Sequence, residues 1–498
     1  MSFFFRIFAF WKENINKQYI TMKNLRTTLL SLSVIVVSLM FGTAKADNID
    51  LQTAKEVGAY YFSVATGAKA PITADKLKLV EQMDNPTLCI PALYSFNISG
   101  NGFVIVSASN CVEPVLAYSP VGSLDPENVN PACRAMLNSY VEIISVLQNE
   151  EATQTATYKQ RWDELLNHTF TCNPESKAIL IQTKWGQDYP YNTFCPVIRD
   201  TVCPTGCVAT AMASIIRYWQ YPLKGAGTAA TSWRNQTLRY YFTHDSNKFI
   251  YDSMPLRPAR YNCEWNIRRA LGKLMYACGV TVRMGWDIGG SGTQSTYVPN
   301  ALTTYFRYSP DAKHITRGSY TDAQWDKMLH SELDDNRRPI YYSAFDPTSS
   351  GADAGHAFVI AGSSSSDEHK YYIRWGWDGN SDGFFTLTPA SQIERAGGYK
   401  FYDRHAMVYK IHPKTEGIED NTSYSIAPSY PNPATDYMMI PSDLPLNAYL
   451  TIYSMDGKIV DRHIIPGGAK EYRLDLQNYA PGMYVYRLNG NAYKFTVQ

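Results

Sequence analysis

The 498-residue sequence has almost no excess of charge of either sign. Lys plus Arg number 46 and Asp plus Glu number 45, so neither a nucleic acid nor an anionic membrane surface is indicated as the main partner. Charged residues make up only 18%, whereas aromatic residues reach 13% with 37 tyrosines, which favours β-rich extracellular domains. The chain is too long for one compact core, so about two to four domains are expected.

Signatures of several enzyme classes are also missing. The glycine-rich stretch at 286–295 lacks the G-x-x-x-x-G-K-[ST] spacing of a phosphate-binding loop, and no G-x-S-x-G nucleophile elbow occurs. Cys203 and Cys207, with Cys195 upstream, have one C-x₃-C gap but no H-x₃₋₅-H pair to complete a common zinc site. A zinc centre is therefore the weaker alternative, and we expect no metal and no organic cofactor.

The first 46 residues have the pattern of an export signal. Two basic residues follow Met22, an apolar core covers 29–41, and Ala44 and Ala46 form an A-x-A cleavage point. The apolar run is shorter than the roughly 20 residues that a bilayer crossing needs, which makes a membrane anchor the weaker alternative. The pattern predicts a signal peptide at 1–46, with Met22 as the true initiator.

The central part of the chain reads as helices followed by short strands. One helix follows Cys207, another covers 265–278, and the strand candidates PIYYSAF, HAFVIAG, YYIRWGW, GFFTLTP and HAMVYKI come later. This order indicates an α+β fold rather than an alternating nucleotide-binding sheet. The predicted divisions are a small α+β unit with a cleavable connector at 47–177, a central domain at 178–413, a linker at 414–428 and a β-sandwich at 429–498.

Nine cysteines in an exported chain leave one thiol without an intramolecular partner. Cys195 with Cys203 and Cys263 with Cys278 are possible short-loop pairs, although spacing alone does not fix connectivity. Cys207 is then a natural candidate for the odd thiol.

Cys207 is also placed for nucleophilic chemistry. The stretch TGCVATAMASIIRYW begins with a tight turn at Gly206 and continues with strong helix formers, so the thiol lies at a helix N-terminus. That position favours the thiolate by roughly 1 kcal/mol. A base distant in sequence is needed as well, and His356 heads the strand in GHAFVIAG about 150 residues later, the interval of papain-like chains. The alternative is a plain core helix and a histidine that satisfies a backbone carbonyl.

The segments WGQDYPYN, TGCVATAMA, GHAFVIAG and WGWDGNSDGFF, in this order, resemble the streptopain family of papain-like cysteine endopeptidases. The resemblance implies these site residues: Cys207 as nucleophile, His356 as general acid/base, Gln187 as side-chain oxyanion donor and Trp375 as the ring that shields and orients the histidine. Arg374 departs from the family pattern, in which an asparagine precedes the tryptophan. An arginine has no acceptor for an imidazole N–H, so the orienting group is left open.

Both ends of the chain carry further resemblances. GFVIVSASNCVEPVLAYSPVGS resembles the family's inhibitory prodomain, which implies a zymogen whose own pro-region blocks the cleft. YPNPATD, IYSMDGKIV and LDLQNYAPGMYVYRL resemble the type A C-terminal sorting domain of the type IX secretion system of Bacteroidota. This implies passage through the periplasm and across the outer membrane, then release or attachment to the cell surface. A carbohydrate-binding or immunoglobulin-like module is the alternative for the tail.

Together these patterns predict a secreted cysteine endopeptidase that is made as a zymogen. The expected fold is α+β, with a papain-like catalytic domain of a helical part and an antiparallel β-barrel part. The expected partners are protein substrates, the chain's own prodomain and the type IX machinery, with no nucleic acid and no membrane span in the mature form. The alternative is a catalytically impaired papain-like surface-binding or adhesive protein, which Arg374 favours.

Overall fold

The computed structural model describes residues 46–172, 179–345, 355–365, 369–387, 405–414, 429–442, 448–455, 459–466, 468–488 and 491–498. The predicted signal peptide lies outside these ranges except for Ala46, and the predicted linker lies outside them except for Lys414. Within the described ranges, every helix is too short or too polar to span a bilayer.

Three helices in the N-terminal part of the chain begin at side chains that cap them. Asp50 Oδ1 accepts a hydrogen bond from the Thr53 N–H at 2.8 Å, which satisfies one free donor of the first turn. Asn130 and Thr155 cap the other two helices in the same way. The elements are α1 (Leu51–Ala65), β1 (Leu77–Asp84), β2 (Pro91–Ile98), β3 (Phe103–Ser107), β4 (Val115–Ser119), α2 (Pro131–Asn149) and α3 (Ala156–Leu166).

The central part places its helices before all but the first strand of its main sheet, which confirms the predicted α+β order. The helices are α4 (Cys207–Trp219), α5 (Trp265–Thr281), α6 (Val298–Tyr305) and α7 (Asp322–His330). Two hairpins consist of β5 (Val197–Ile198), β6 (Thr201–Val202), β7 (Thr228–Trp233) and β8 (Gln236–Tyr241). The main-sheet strands are β9 (Lys313–Thr316), β10 (Ile340–Phe345), β11 (Gly355–Ser363), β12 (Lys370–Arg374), β13 (Gly383–Thr386) and β14 (Ala406–Tyr409).

One ten-stranded sheet runs through both parts of the chain. Its order is β1-β2-β3-β4-β13-β12-β11-β10-β14-β9, and all neighbouring strands are antiparallel. At the junction, Ala117 and Tyr118 of β4 pair with Phe385 and Phe384 of β13. The rings of Tyr118 and Phe384 stack with centroids 5.0 Å apart. The N-terminal part is therefore joined to the central part by strand pairing as well as by side-chain packing.

A buried group of charges crosses the same junction. Arg161 of α3 pairs with Glu113 at 2.7 Å, and the Nζ of Lys370, at the start of β12, lies 3.5 Å from the same carboxylate. Lys370 is fully buried, with its Nζ 5.2 Å from the ring centroid of Tyr61. Because buried charges are costly without their partners, separation of the two parts requires Lys370 to regain water.

Helix α4 is buried along its whole length, since each residue at 208–219 is buried. It packs against β11 on one side and α5 on another. The one long charged side chain, Arg217, donates from Nε to the Met254 carbonyl at 3.0 Å. A helix that is covered on all sides gives Cys207, at its first position, a rigid base.

The C-terminal part folds as two small sheets around one core. The strands are β15 (Tyr437–Pro441), β16 (Ala448–Ser454), β17 (Ile459–Ile465), β18 (Glu471–Asp475), β19 (Gly482–Leu488) and β20 (Asn491–Val497). The pair β15-β18 faces the sheet β17-β16-β19-β20, and Met438 and Leu474 of the first share a core with Leu450 and Tyr486 of the second. These strands confirm the β-sandwich predicted from the sequence.

This C-terminal part contacts the far end of helix α4. The guanidinium of Arg462 lies over the Tyr218 ring, 3.3 Å from its centroid, and donates to the Tyr218 carbonyl at 3.4 Å. The guanidinium of Arg487 lies 5.2 Å from the ring centroid of Tyr221. Cation–π contacts of this kind contribute about 0.5–1 kcal/mol at exposed sites and more where water is excluded.

All nine cysteines lie in the described ranges, and none forms a disulfide. The pairing suggested for Cys263 and Cys278 is wrong because the two residues lie near opposite ends of α5. Their separation along the helix axis is roughly 20 Å, far beyond the reach of a disulfide. Cys195 and Cys203 also remain thiols, and burial raises the pKa of Cys195 to about 12.

Candidate active site

The chain turns sharply just before Cys207 because Gly206 has a φ of 84°. This left-handed conformation favours glycine, and a Cβ here would lie 2.7 Å from both Met284 Cε and the Ser291 carbonyl oxygen. Gly206 is the N-cap of α4 and offers no side-chain acceptor to the first-turn N–H groups. The turn therefore leaves backbone donors beside the Cys207 thiol, as the sequence indicated.

The Cys207 thiol lies against strand β11. The backbone N–H groups of Ala357, Val208 and Cys207 itself face the sulfur. Burial raises the pKa of the thiol above its ordinary value, and the three N–H groups oppose this with a smaller effect. The helix N-terminus therefore supplies N–H groups that favour the thiolate, as expected from the sequence, but desolvation outweighs them in this form of the chain.

Gln187 is joined to the turn that carries Cys207. Its carbonyl oxygen accepts from the Thr205 N–H at 2.9 Å. Its side-chain Nε2 is buried and finds no acceptor among the described residues. A buried donor without a partner costs roughly 1–3 kcal/mol, so its retention points to a use for the donor. An oxyanion that develops beside Cys207 is an acceptor of suitable charge.

His356 lies on β11 directly before Ala357 and opposite Ala344 of β10. The Trp377 ring stands edge-on to the imidazole, with centroids 6.1 Å apart and planes inclined by 73°. The imidazole also lines a small cavity with four residues of α2. These residues are Ala132, Ala135, Met136 and Ser139. The fold thus brings Cys207 to the strand of His356, while a helix from the N-terminal part covers one side of the imidazole.

Trp375 does not occupy the position predicted for it beside the histidine. Its ring packs between Phe358 and Phe385, with centroid distances of 4.9 and 5.0 Å, and is almost fully buried. Trp377 is the ring that stands next to His356. The sequence contained both tryptophans in the WGW segment, but only the path of the loop after β12 decides which ring faces the site.

Arg374 is buried and paired. Its Nη1 donates to Asp382 Oδ2 at 2.8 Å, and its Nε donates to the Ile181 carbonyl at 2.9 Å. The second carboxylate oxygen of Asp382 accepts from the Trp375 N–H at 3.0 Å. Burial raises the pKa of Asp382, and the charge of Arg374 opposes this. The arginine that departs from the family pattern therefore fixes the loop after β12, a structural role.

These groups suit acyl transfer. A cysteine nucleophile requires a thiol, fixed N–H donors and a base. Here the donors are backbone N–H groups and the Gln187 amide, and the base is His356, next to Ala357 whose N–H faces the sulfur. Among the described residues, no three His, Cys, Asp or Glu side chains are placed to hold a metal ion.

His405, which the sequence did not single out, lines the same cavity as His356. The Tyr342 hydroxyl and the Nδ1 of His405 are hydrogen-bonded at 3.0 Å. Burial lowers the pKa of His405 to about 3, and the charge of Arg317 adds to the effect. The folded chain therefore holds this imidazole neutral.

We expect the free energy of unfolding to fall as the pH drops below 6.5, because the unfolded chain then protonates His405 and the folded chain does not. The loss is roughly 1 kcal/mol per pH unit and continues toward the folded pKa. Urea titrations of a Cys207→Ala chain between about pH 7 and pH 5 measure it. His405→Gln in the same background keeps an acceptor for Tyr342 without titrating, so its pH dependence should be weaker. Equal slopes for the two chains would contradict this.

Family models match three parts of the chain. The match described as the peptidase C10 family covers residues 185–385, the one described as Spi protease inhibitor covers 46–144, and the one described as a secretion system C-terminal sorting domain covers 429–498. The three matches fall on the central part, the N-terminal part and the C-terminal sandwich of the structure.

Individual relatives agree with this division. Streptopain of Streptococcus pyogenes serotype M1 is 31% identical over 375 residues, which covers 70% of this chain and 87% of the relative. The thiol protease/hemagglutinin PrtT of Porphyromonas gingivalis is 28% identical over 393 residues, 74% of this chain and 42% of the relative. A solved fragment of Prevotella intermedia prointerpain A has a TM-score of 0.53 at 26% identity and covers 67% of this chain and 97% of the fragment.

The sorting domain indicates a secreted or cell-surface protein of the Bacteroidota, and the inhibitor-like domain precedes the peptidase domain as in a zymogen. The chain therefore belongs to the peptidase C10 (streptopain) family and is a secreted cysteine endopeptidase that is made as a zymogen.

Proposed function

We propose that Cys207 is the nucleophile, His356 the general acid/base and Gln187 the side-chain oxyanion donor of this peptidase. The observation that carries the proposal is the buried Nε2 of Gln187, which has no acceptor among the described residues and whose own backbone is bonded to the turn before Cys207. The Cys207 N–H is the second donor. Donors that are fixed in advance stabilise a tetrahedral intermediate without reorganisation, and each is worth roughly 10²–10³-fold in rate.

Peptide hydrolysis then proceeds through a thioester. The Cys207 thiol transfers its proton to His356, and the thiolate forms an S–C bond with the scissile carbonyl while the carbonyl oxygen becomes the oxyanion. As the C–N bond breaks, His356 returns the proton to the leaving amine. Water then loses a proton to His356 and attacks the thioester, which releases the acid product and restores the thiol. These steps need no metal and no organic cofactor.

Trp377 takes the role that the sequence assigned to Trp375. Its edge-on contact with His356 restricts rotation of the imidazole and shields it from water. Trp375 supports this arrangement from the core, where its Nε1 donates to the Ser381 carbonyl at 2.9 Å.

The chain's own N-terminal domain acts as the inhibitor. Helix α2 covers one side of His356, strand β4 pairs with β13, and Glu113 neutralises the buried Lys370. In this form of the chain Cys207 is partly buried, and desolvation holds the pKa of its thiol above the ordinary value. Removal of this domain takes helix α2 away from His356 and opens that side of the imidazole to substrate and water.

We place the prodomain and its cleavable connector at 47–177, the peptidase domain at 178–413, the linker at 414–428 and the sorting domain at 429–498. The secretion-domain match supports the type IX machinery as a partner, and the peptidase match supports proteins as substrates.

Labelling with a peptidyl epoxide, which alkylates active-site thiolates, tests this function. The mature protein should be modified at Cys207, and the full zymogen much more slowly. Gln187→Ala is the matched variant: it keeps the thiol and should lower kcat by roughly 10²-fold or more. A mature protein that is folded but neither labels nor cleaves peptides would overturn the assignment.

The alternative of an inactive adhesive protein loses its main support in the structure. It depended on Arg374, whose guanidinium is bound to Asp382 and the Ile181 carbonyl.

A further inference from the structure

Asp378 connects two parts of the cleft that are far apart in sequence. It directly follows Trp377, the ring beside His356, and has a φ of 53°. Its backbone N–H donates to the Trp185 carbonyl at 3.1 Å. The loop that carries Trp377, the ring beside His356, is thus hydrogen-bonded to the segment that carries Gln187.

The Asp378 carboxylate extends this connection. One oxygen accepts from the Tyr191 hydroxyl at 3.0 Å, and the other accepts from Arg260 Nη2 at 2.6 Å. The carboxylate also packs on Gly186, where a Cβ would lie 2.7 Å from its oxygen. Gly186 directly precedes Gln187, so the carboxylate fixes the backbone that aims the oxyanion donor.

The surrounding groups keep these hydrogen bonds in one direction. Burial and the negative charge of Asp378 raise the pKa of Tyr191, so the phenol remains a donor. Arg260 is held as a cation, since Asp378 raises the pKa of its guanidinium. The side chain of Arg260 is 66% exposed, and exposed ion pairs add little to folding stability. A large effect of Asp378 on rate would therefore come from placement.

We propose that Asp378 is a positioning residue that holds the Gln187 donor and the Trp377 wall in one arrangement. The proposal rests on the proposed role of Gln187. A displacement of about 1 Å at a reacting group can cost roughly 10²-fold in rate. Asp378→Ala keeps the backbone bond to Trp185 but removes the carboxylate that packs on Gly186 and binds Tyr191, and it should lower kcat by roughly 10–100-fold with KM changed by less than about threefold.

Two thiol reagents distinguish placement of the oxyanion donor from general damage. A peptide aldehyde forms a hemithioacetal with Cys207 whose oxygen needs the oxyanion donors, whereas iodoacetamide needs only the thiolate. In the mature protein from the full chain, Asp378→Ala should weaken aldehyde binding about tenfold or more and change the alkylation rate less than about twofold. Asp378→Asn keeps an acceptor for Tyr191 and should lose less. Asp245→Ala, which breaks the exposed pair with Lys224 at 3.1 Å, is the control and should change neither.

A Gln187→Ala variant distinguishes the proposed role of Gln187 from the proposed role of Asp378. If the Gln187→Ala variant binds the aldehyde as tightly as the wild-type protein does, the proposed function of Gln187 fails. If Gln187→Ala weakens the aldehyde and Asp378→Ala does not, only the inference about Asp378 fails. Equal losses of alkylation and aldehyde binding in Asp378→Ala would also overturn it. The inference about Asp378 is supported if the losses of aldehyde affinity in the Gln187→Ala/Asp378→Ala double variant are not additive, because both substitutions then act through the same donor.

Discussion

Replacing Cys207 by alanine is expected to abolish hydrolysis of a denatured protein substrate and to leave the zymogen unprocessed. Without the sulfur no thioester forms, and the fixed donors alone give little turnover, so the rate should fall by roughly 10⁴-fold or more. Release of dye from a labelled denatured protein measures hydrolysis, and N-terminal sequencing of the secreted chain measures processing.

Cys263→Ala is the matched control, because it removes another thiol of the same domain that does not belong to helix α4 or its N-terminal turn. It should keep most of the activity. A comparable loss of hydrolytic activity in Cys207→Ala and Cys263→Ala would show that activity depends on thiols in general and not on Cys207 in particular. Maturation of the Cys207→Ala chain in the absence of other proteases would show that the prodomain is not removed by the chain itself.

Arg374→Met is expected to lower the free energy of unfolding by about 3–5 kcal/mol. The substitution leaves the Asp382 carboxylate buried without its cation, and the Ile181 carbonyl loses the Nε donor. Urea unfolding at neutral pH, in a Cys207→Ala background that prevents self-cleavage, measures the change.

The double variant Arg374→Met/Asp382→Leu should regain part of this loss, because apolar replacements of a buried ion pair are often neutral. Recovery should be incomplete, since the Trp375 N–H then lacks its acceptor. A single Arg374→Met variant as stable as the parent chain would show that the pair contributes nothing to folding.

Local sequence was sufficient to predict the catalytic helix and the strand of the histidine. Gly206 followed by helix formers predicts a helix that starts at Cys207, and the structure begins α4 there. GHAFVIAG predicts a buried strand headed by His356, which β11 confirms. In both places the signal lies within about ten residues, the range in which turn chemistry and hydrophobic periodicity act.

Features that depend on tertiary placement were not predictable in this way. Arg374 gained its partner Asp382 through a loop whose path no periodicity encodes. The choice between Trp375 and Trp377 depended on that same loop. The raised pKa of Cys207 depends on burial by the whole fold, whereas the sequence showed only the helix N-terminus.

The pairing of β4 with β13 has a consequence for the mature enzyme. When the prodomain leaves, β13 becomes an open edge strand, and open edges invite pairing with other chains. This edge is only four residues long, and Lys370 stands opposite Thr386 on the neighbouring strand. A very short edge strand is one of the means by which natural sheets avoid aggregation. The short β13 edge thus limits self-association of the mature enzyme, while Lys370 on the strand behind it loses the Glu113 carboxylate that neutralises it in the zymogen.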